Sequence, residues 1–204
     1  MTPPLGSLTA QNHELQMGTN CLGPYLFTHF LTPLLQKTAA SSPPGSVRVT
    51  WAASLATMGS PTGGVTFDEK TQAPVVHNSR GLDYAQTKAA NVFLSRGFAA
   101  RFGGKAEGGI VSNAWNPGNL QSELQRHQTW LEAFITRFLI YPAVYGGYTE
   151  LFAGWSEEAG RRENQGRYVG PWGRFVHLRA DVDGNEAGVE RFWAWCEAET
   201  RAYV

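Results

Sequence analysis

Two residues that can exchange protons stand one helical turn apart in this sequence. Tyr84 and Lys88 are four positions apart, at the head of a segment rich in alanine and apolar residues. Because side chains at positions i and i+4 lie on the same face of a helix, the phenol and the ammonium can share one reaction centre. Tyrosine ordinarily loses its proton near pH ~10, and a nearby cation lowers that pKa by favouring the phenolate. The spacing therefore predicts a site of proton transfer near neutral pH.

The same spacing also occurs on ordinary solvated helices, so the elements around the pair have to distinguish the two interpretations. The run from Val47 to Ser54 predicts a strand that ends at the Ser54 hydroxyl. A second strand is predicted within Gly108 to Asn116, and a helix from Tyr84 to Phe102 connects the two strands. Ligands of open parallel sheets bind at the carboxyl ends of the strands. Ser54, Tyr84 and the Pro117-Gly118 turn are therefore expected to meet at one edge of the sheet.

The other patterns complete an alternation of helices and strands. Apolar spacing from His13 to Lys37 predicts a short helical turn, an interruption at Gly23-Pro24 and then a longer helix. Arg167 to Val169 predicts a third, short strand. Leu55 to Gly81 is long and irregular, which is typical of a functional loop or a lid. This order predicts an α/β fold with a parallel sheet, organised as a single domain over residues 1–204.

Three later segments also have the apolar spacing of helices. Asn119 to Ile140 is amphipathic, with apolar residues that include Leu124, Trp130, Leu131 and Phe134. The segment from Pro142 to Trp155 is predicted to bury Val144, Tyr148, Leu151 and Phe152. The segment from Asn185 to Arg201 is predicted to bury Val189, Phe192, Trp193 and Cys196.

Composition excludes several classes of function. The 204 residues carry 17 basic and 17 acidic side chains, and this zero net charge argues against binding to nucleic acid or to an anionic membrane. No apolar run approaches the ~20 residues that span a bilayer. Cys21 and Cys196 have neither metal-ligand nor disulfide spacing, and the five histidines are scattered, so we expect a cytosolic protein without a metal. Ser54 has no Gly-x-Ser-x-Gly elbow around it, which makes a serine hydrolase a poor interpretation.

Taken together, these residues resemble the motifs of the short-chain dehydrogenase/reductase family. Asn20, within Gly-Thr-Asn-Cys-Leu-Gly-Pro, resembles the family's active-site asparagine on the helix before the serine strand. Ser54 takes the place of the catalytic serine, and Tyr84 with Lys88 matches the Tyr-x-x-x-Lys motif. The segment Pro117-Gly118-Asn119-Leu120-Gln121-Ser122 is similar to the family's Pro-Gly segment.

The end of the chain extends the resemblance, which thus covers nearly the whole sequence. Tyr168 to Arg174 and Phe192 to Cys196 are similar to segments of fungal members close to the retinol-dehydrogenase-like branch. The resemblance implies a partial Rossmann-type, doubly wound parallel sheet and an NAD(P)-dependent oxidoreductase. The implied cofactor is NADP or NAD, with NADP slightly favoured.

The resemblance also implies a role for each residue of the motif. Tyr84 would exchange a proton with the substrate oxygen, and Lys88 would lower the Tyr84 pKa and bind the nicotinamide ribose. Ser54 would hydrogen-bond the developing alkoxide, and Asn20 would hold a water beside Lys88. The residues implied to contact the cofactor are Asn20, Tyr84, Lys88, Pro117, Gly118, Leu120 and Ser122.

The sequence departs from the family at its beginning. Only 19 residues precede Asn20, and no Gly-rich turn of the kind that binds a dinucleotide lies among them. We therefore expect an N-terminally truncated member that binds NAD(P)H poorly by itself. The strand from Val47 to Ser54 would then have an unpaired edge, open to pairing with another chain or a second copy.

Two functions follow from this combination of matches and departures. One is an oxidoreductase that interconverts a hydrophobic alcohol and its ketone or aldehyde, within a biosynthetic pathway for a natural product. Its pocket would be formed by the loop from Leu55 to Gly81 and by Gln121 to Tyr141, whose lining is apolar. The alternative is a cofactor-free pseudoenzyme, an interaction partner of a full-length relative, or the product of an incorrect gene start.

Overall fold

A mostly parallel sheet forms the centre of the structure, a computed structural model that describes residues 3–104, 109–120 and 140–204. Its strands, in their order across the sheet, are β1 (Arg48–Ala52), β2 (Val111–Trp115), β3 (Tyr168–Gly170) and β4 (Arg174–Val176). The first three are parallel, and β4 pairs antiparallel with β3. The α/β prediction with part of a Rossmann-type sheet is confirmed, as are the three predicted strands. The β4 hairpin was not predicted, because three residues are too few to show an alternating pattern.

The helical segment before β1 is continuous, so the predicted interruption at Gly23-Pro24 is wrong. It comprises α1 (Leu15–Met17), a π-helical turn (Gly18–Leu22) and α2 (Gly23–Ala40). Pro24 lies in the first turn of α2. The wider π turn, which closes i→i+5 bonds, is what joins the two α-helical parts.

The helix that carries the Tyr84 motif, α3 (Arg80–Phe102), starts four residues earlier than predicted. Ser79 caps its first turn, and the carboxylate of Asp83 accepts hydrogen bonds from the backbone N–H groups of His77 and Ser79. These short-range bonds satisfy polar groups around the helix start. They hold the first turn of α3 in place just ahead of Tyr84.

The main core lies between α3, the sheet and the last long helix, α7 (Glu186–Thr200). All four side chains that were predicted to be buried on α7 are buried. Trp51, on β1, packs against Phe98 of α3, with ring centroids 6.3 Å apart. Successive side chains of a strand point to opposite faces of the sheet. Trp51 points to the α3 face, so Arg48, three positions before it, points to the opposite face.

The opposite face of the sheet is covered by α4 (Val144–Trp155). The Arg48 guanidinium donates to the carbonyl oxygens of Ala153 and Ser156, at 3.4 and 2.8 Å. The predicted buried face of α4 is wrong: Val144, Tyr148 and Leu151 are exposed, and Phe152 is only partly buried. The residues that face the protein are small, namely Gly146, Thr149 and Ala153.

Short helical pieces complete the described chain, at Leu55–Gly59, Glu157–Gly160 (α5), Arg162–Asn164, Ala180–Asp183 (α6) and Arg201–Tyr203. The first of them opens the predicted loop Leu55 to Gly81. Arg179 fastens this loop to the end of the chain, because its guanidinium donates to the carbonyl oxygens of Met58, Ser60 and Pro61 at 2.9, 2.7 and 2.9 Å. Asp181 pairs with Arg179 and accepts from the backbone N–H of Gly63 at 2.7 Å. Over the described ranges, no helix has both the length and the apolar character that crossing a membrane requires.

Candidate active site

Ser54 lies directly after β1, where the predicted strand delivers it. Its Oγ accepts a hydrogen bond from the backbone N–H of Ala56 at 3.2 Å and so caps the 3₁₀ turn Leu55–Gly59. The same hydroxyl lies near enough to the Tyr84 phenol to favour its ionised form and so to oppose the rise that burial causes in the Tyr84 pKa. The serine and tyrosine that the motif pairs are therefore neighbours, although 30 positions of sequence, from 54 to 84, separate them.

Lys88 lies one turn beyond Tyr84 on the same face of α3, with Nζ 5.5 Å from the centre of the Tyr84 ring. Its ammonium donates to the carbonyl oxygen of Ala52 at 2.9 Å. The amide of Asn91, three residues further along α3, donates to the same oxygen at 2.9 Å. Ala52, the last residue of β1 and two positions before Ser54, is thus hydrogen-bonded to the helix that carries Tyr84.

Asn20 lies in the π-helical turn and reaches the same part of α3. Its Nδ2 donates to the Thr87 hydroxyl at 3.0 Å, and that hydroxyl donates to the carbonyl oxygen of Tyr84 at 2.8 Å. The thiol of Cys21 donates to the Thr87 carbonyl at 3.4 Å. Because π turns are frequent at functional sites, this location is consistent with the predicted role of Asn20. The sequence showed the asparagine but not the turn that orients it.

The pKa of Tyr84 differs from the sequence prediction in its direction. Burial raises the Tyr84 pKa, and the nearby Ser54 hydroxyl opposes that rise. Burial also lowers the pKa of Lys88, an effect that the nearby Cys21 thiol opposes. The expectation that Lys88 lowers the Tyr84 pKa is therefore wrong for this structure. The physical reason is that both charged forms lose hydration, while the Lys88 ammonium is directed to the Ala52 carbonyl.

The Pro117 turn follows β2 and so reaches the same edge of the sheet as Ser54. The side chain of Asn116 accepts from the backbone N–H of Gly118 at 2.9 Å, and Gly118 has a φ of +88°, a left-handed conformation that favours glycine. A Cβ added at Gly118 would meet Pro171 at 3.2 Å, and one added at Gly146 of α4 would meet Leu120. The contacts of the turn thus run to α4 and to the β3–β4 hairpin. Ser122 lies outside the described residues.

Tyr168, the first residue of β3, is a member of the site that sequence reasoning missed. Its phenol donates to the carbonyl oxygen of Ser54 at 2.7 Å, and the residue is buried. Burial raises the Tyr168 pKa, a negative charge on Tyr84 raises it further, and the Thr57 hydroxyl opposes both. A buried tyrosine usually needs a partner for its hydroxyl, and this is the signal that could have marked it.

The donors at this site suit a nicotinamide ribose better than a metal ion. The Lys88 ammonium carries three N–H donors, of which Ala52 takes one, and the carboxamide of Asn20 lies on the adjoining turn. Hydroxyl groups of a sugar are natural partners for such donors. In the described part of the chain, no cluster of three or more histidine, cysteine, aspartate or glutamate residues could hold a metal ion.

Comparison with known proteins agrees with this geometry, although no protein-family model matches the chain. A short-chain dehydrogenase/reductase of Phomopsis amygdali is 42% identical over 96% of this chain and 61% of its own length. The short-chain dehydrogenase/reductase iacJ of Pestalotiopsis fici is 40% identical over 98% of this chain and 61% of its own. The chain thus spans less than two thirds of the length of these relatives.

A solved structure supports the fold independently. The crystal structure of an uncharacterized protein from Mycobacterium paratuberculosis superposes with a TM-score of 0.68, at 23% identity. The match covers 98% of this chain and 63% of that one. The solved structure supports the fold alone, and the fungal relatives at 42% and 40% identity show that the chain belongs to the short-chain dehydrogenase/reductase family.

Proposed function

We propose that this chain supplies the proton-transfer groups of an NAD(P)-dependent oxidoreductase that interconverts a hydrophobic alcohol and its ketone or aldehyde. The observation that carries the proposal is the position of the Lys88 ammonium, 5.5 Å from the centre of the Tyr84 ring and hydrogen-bonded to the Ala52 carbonyl two residues before Ser54. A phenol, a hydroxyl and a cation at one point can bind an oxygen atom and exchange a proton with it.

Each side chain then has a defined task. The cofactor, when bound, accepts or supplies the hydride at the substrate carbon. In the oxidation direction, the deprotonated Tyr84 takes the proton of the substrate hydroxyl as the carbonyl forms, and in reduction the neutral phenol returns it. Ser54 donates to the substrate oxygen, whose negative charge is greatest in the transition state. Lys88 would hold the ribose hydroxyls of the cofactor, and Asn20 maintains the turn of α3 on which Tyr84 and Lys88 stand.

The surroundings of Ser54 favour an apolar substrate. Leu55 and Met58, in the turn that Ser54 caps, are exposed, as are Tyr141 and Trp172 near the Pro117 turn. Exposed apolar side chains beside polar catalytic groups are typical of pockets for hydrophobic ligands. The other predicted lining residues, in the segment 121–139, lie outside the described residues. We also propose that the substrate carries no phosphate group.

The finer assignments follow from the resemblance to fungal members of the family. We favour NADP over NAD and a natural-product pathway, and the free, buried thiols of Cys21 and Cys196 suit a reducing compartment such as the cytosol. Isothermal titration of the purified chain with NADPH and NADH tests the choice of cofactor, and tighter binding of NADH would contradict it. The same titration tests the expectation of poor binding, which micromolar affinity for NADPH would overturn.

The reaction is tested with a panel of hydrophobic secondary alcohols and their ketones, monitored by nicotinamide absorbance. Tyr84→Phe removes the exchangeable proton and should lower kcat by about 10²-fold or more. Tyr25→Phe is the matched control, because Tyr25 is buried between α2 and α7 and should leave kcat unchanged. Full activity of the Tyr84→Phe variant would contradict the proposal, as would absence of wild-type turnover at cofactor concentrations well above the dissociation constant that the titration gives.

A further inference from the structure

A cavity of about 220 Å³ lies where α2, α3 and α7 meet. We call it the aromatic cavity, because the rings that line it are those of Trp51, Phe98, Phe102 and Trp193. Trp51, Phe98 and Trp193 are each at most 5% exposed, so they form its floor. Phe98 follows Lys88 by ten residues on α3, which is about 15 Å along a helix. The aromatic cavity is therefore separate from the candidate active site.

Two permanently charged side chains line the aromatic cavity, Arg101 and Glu197. The Arg101 guanidinium is already engaged, because it lies 4.5 Å over the Trp193 ring and donates to both carboxylate oxygens of Glu190 at 3.1 and 2.7 Å. Glu197 is exposed, and its carboxylate accepts from the indole N–H of Trp193 at 2.9 Å. Among the described residues it has no cationic partner. The opening of the cavity therefore carries one negative charge without a counter-ion.

A proline within α2 adds a second hydrogen-bond acceptor at this opening. Pro33 lies inside the helix and has no backbone N–H, so the carbonyl of His29, four residues earlier, lacks its usual helical donor. Both residues line the aromatic cavity. His29 is exposed, as Glu197 is, which assigns both acceptors to the solvent side. The cavity thus combines an aromatic floor with acceptors at its opening.

We propose that the aromatic cavity binds a small organic ammonium ion with an apolar carbon body. The ammonium group would donate to the Glu197 carboxylate and to the His29 carbonyl, since hydrogen bonds between charged groups are stronger than neutral ones. The carbon body would lie on the aromatic floor, whose ring faces also attract a cation. Pockets for drug-sized ligands begin at about 300 Å³, so a cavity of 220 Å³ suits a single ring or a short alkyl chain.

Other classes of ligand fit the aromatic cavity less well. A carboxylic acid or a phosphate would meet the like charge of Glu197, and the Arg101 guanidinium that could attract it is paired with Glu190. A neutral apolar molecule would cover the floor but would leave the acceptors at the opening without a donor. The charge of Glu197 is therefore the feature that selects the ligand.

Isothermal titration of the purified chain with benzylammonium chloride at neutral pH tests the inference. Toluene, which has the same ring and carbon atom but no ammonium group, is the matched control ligand. We expect benzylammonium to bind with a dissociation constant of about 1 mM or lower and toluene to bind at least about tenfold more weakly. Binding should also change the fluorescence of the tryptophans, because Trp51 and Trp193 line the cavity.

Three variants locate the bound ammonium. Glu197→Gln removes the charge but keeps an oxygen that can accept from Trp193, and it should raise the dissociation constant about tenfold or more. Glu199→Gln, an equal loss of charge at an exposed position of α7 outside the cavity, should leave it unchanged. Pro33→Ala returns an N–H to the His29 carbonyl and should raise it about threefold while the helix becomes more stable. Circular dichroism should show that all three variants are folded.

The inference is overturned if benzylammonium does not bind at millimolar concentrations, or if toluene binds as tightly. It is also overturned if neither Glu197→Gln nor Pro33→Ala weakens the binding, because the ligand would then lie elsewhere on the protein. An equal loss of affinity in Glu199→Gln would reduce the effect to one of overall charge and would overturn it as well. Because no activity is measured, the result is independent of the proposed function.

Discussion

The two long helices on opposite faces of the sheet, α3 and α4, use apolar residues in opposite ways. In α3 the large apolar side chains Phe93, Leu94 and Phe98 are at most 1% exposed. In α4 the large apolar side chains point outward, and Trp155 is 82% exposed. The difference shows that an apolar stripe identifies a helix but does not tell which of its faces meets the protein.

In both helices, small residues determine which face packs against the rest of the protein. At Gly97 of α3, the missing side chain admits the ring of Trp193 from α7. At Gly146 of α4, it admits Leu120 and Pro117 of the turn after β2. Close approach of a neighbouring element requires a small residue, and the larger side chains of α4 are consequently left on the outer face. Three pairs of substitutions test this contrast, in order of expected effect.

The largest effect is expected from truncation of matched apolar residues. Phe98→Ala in α3 should lower the free energy of unfolding by about 3–5 kcal/mol, because it leaves a cavity among Trp51, Phe102 and Trp193. Leu151→Ala in α4 should change it by about 0.5 kcal/mol or less, because Leu151 is exposed. Urea unfolding measures both. A cost at Leu151 similar to that at Phe98 would mean that the outer face of α4 is covered.

An intermediate effect, of opposite sign in the two helices, is expected when glycine is replaced by alanine. A Cβ at Gly97 would lie 2.6 Å from Trp193, so Gly97→Ala should destabilise the protein by about 1–3 kcal/mol. A Cβ at Gly147 would meet nothing within 4 Å, so Gly147→Ala should stabilise α4 by about 0.5–1 kcal/mol. Thermal unfolding of the two variants gives the sign directly, and equal signs would contradict the comparison.

The smallest effect concerns a buried hydroxyl and depends on pH. Tyr168→Phe removes the hydrogen bond to the Ser54 carbonyl and should cost about 1 kcal/mol at neutral pH. Because the folded-state pKa of Tyr168 is raised, its contribution to stability is complete below pH ~10 and is lost as the pH rises beyond that value. The wild-type and variant stabilities should therefore converge in alkali. Tyr148→Phe, on the exposed face of α4, is the control and should leave the stability at neutral pH unchanged.

The candidate site was largely predictable from the sequence. The proximity of Ser54 to Tyr84 follows from a strand that ends just before one residue and a helix that starts near the other. Tyr84 and Lys88 share a face because the spacing of a helix is local information. Parallel topology then brings the Pro117 turn to the same edge. These inferences need only the order of the elements and the geometry within each.

Contacts made by single atoms across the fold were not predictable. The bond from Tyr168 to Ser54 joins residues that are 114 positions apart, and no spacing signals it. The π-helical turn around Asn20 is likewise invisible, since it needs only one extra residue per turn and contains no distinctive residue. The direction of the Tyr84 pKa depends on how deeply α3 is buried, which is a property of the assembled protein.

The fastening of the loop after Ser54 by Arg179 has a consequence for how the site is made. Three carbonyl oxygens of that loop are held by one guanidinium that is encoded near the end of the chain. During synthesis on the ribosome, the strand that ends at Ser54 can emerge and pair long before Arg179 has been translated. The loop after Ser54 therefore cannot reach its final position until most of the polypeptide is available, and a chain that terminated before Arg179 would leave that loop without this anchor.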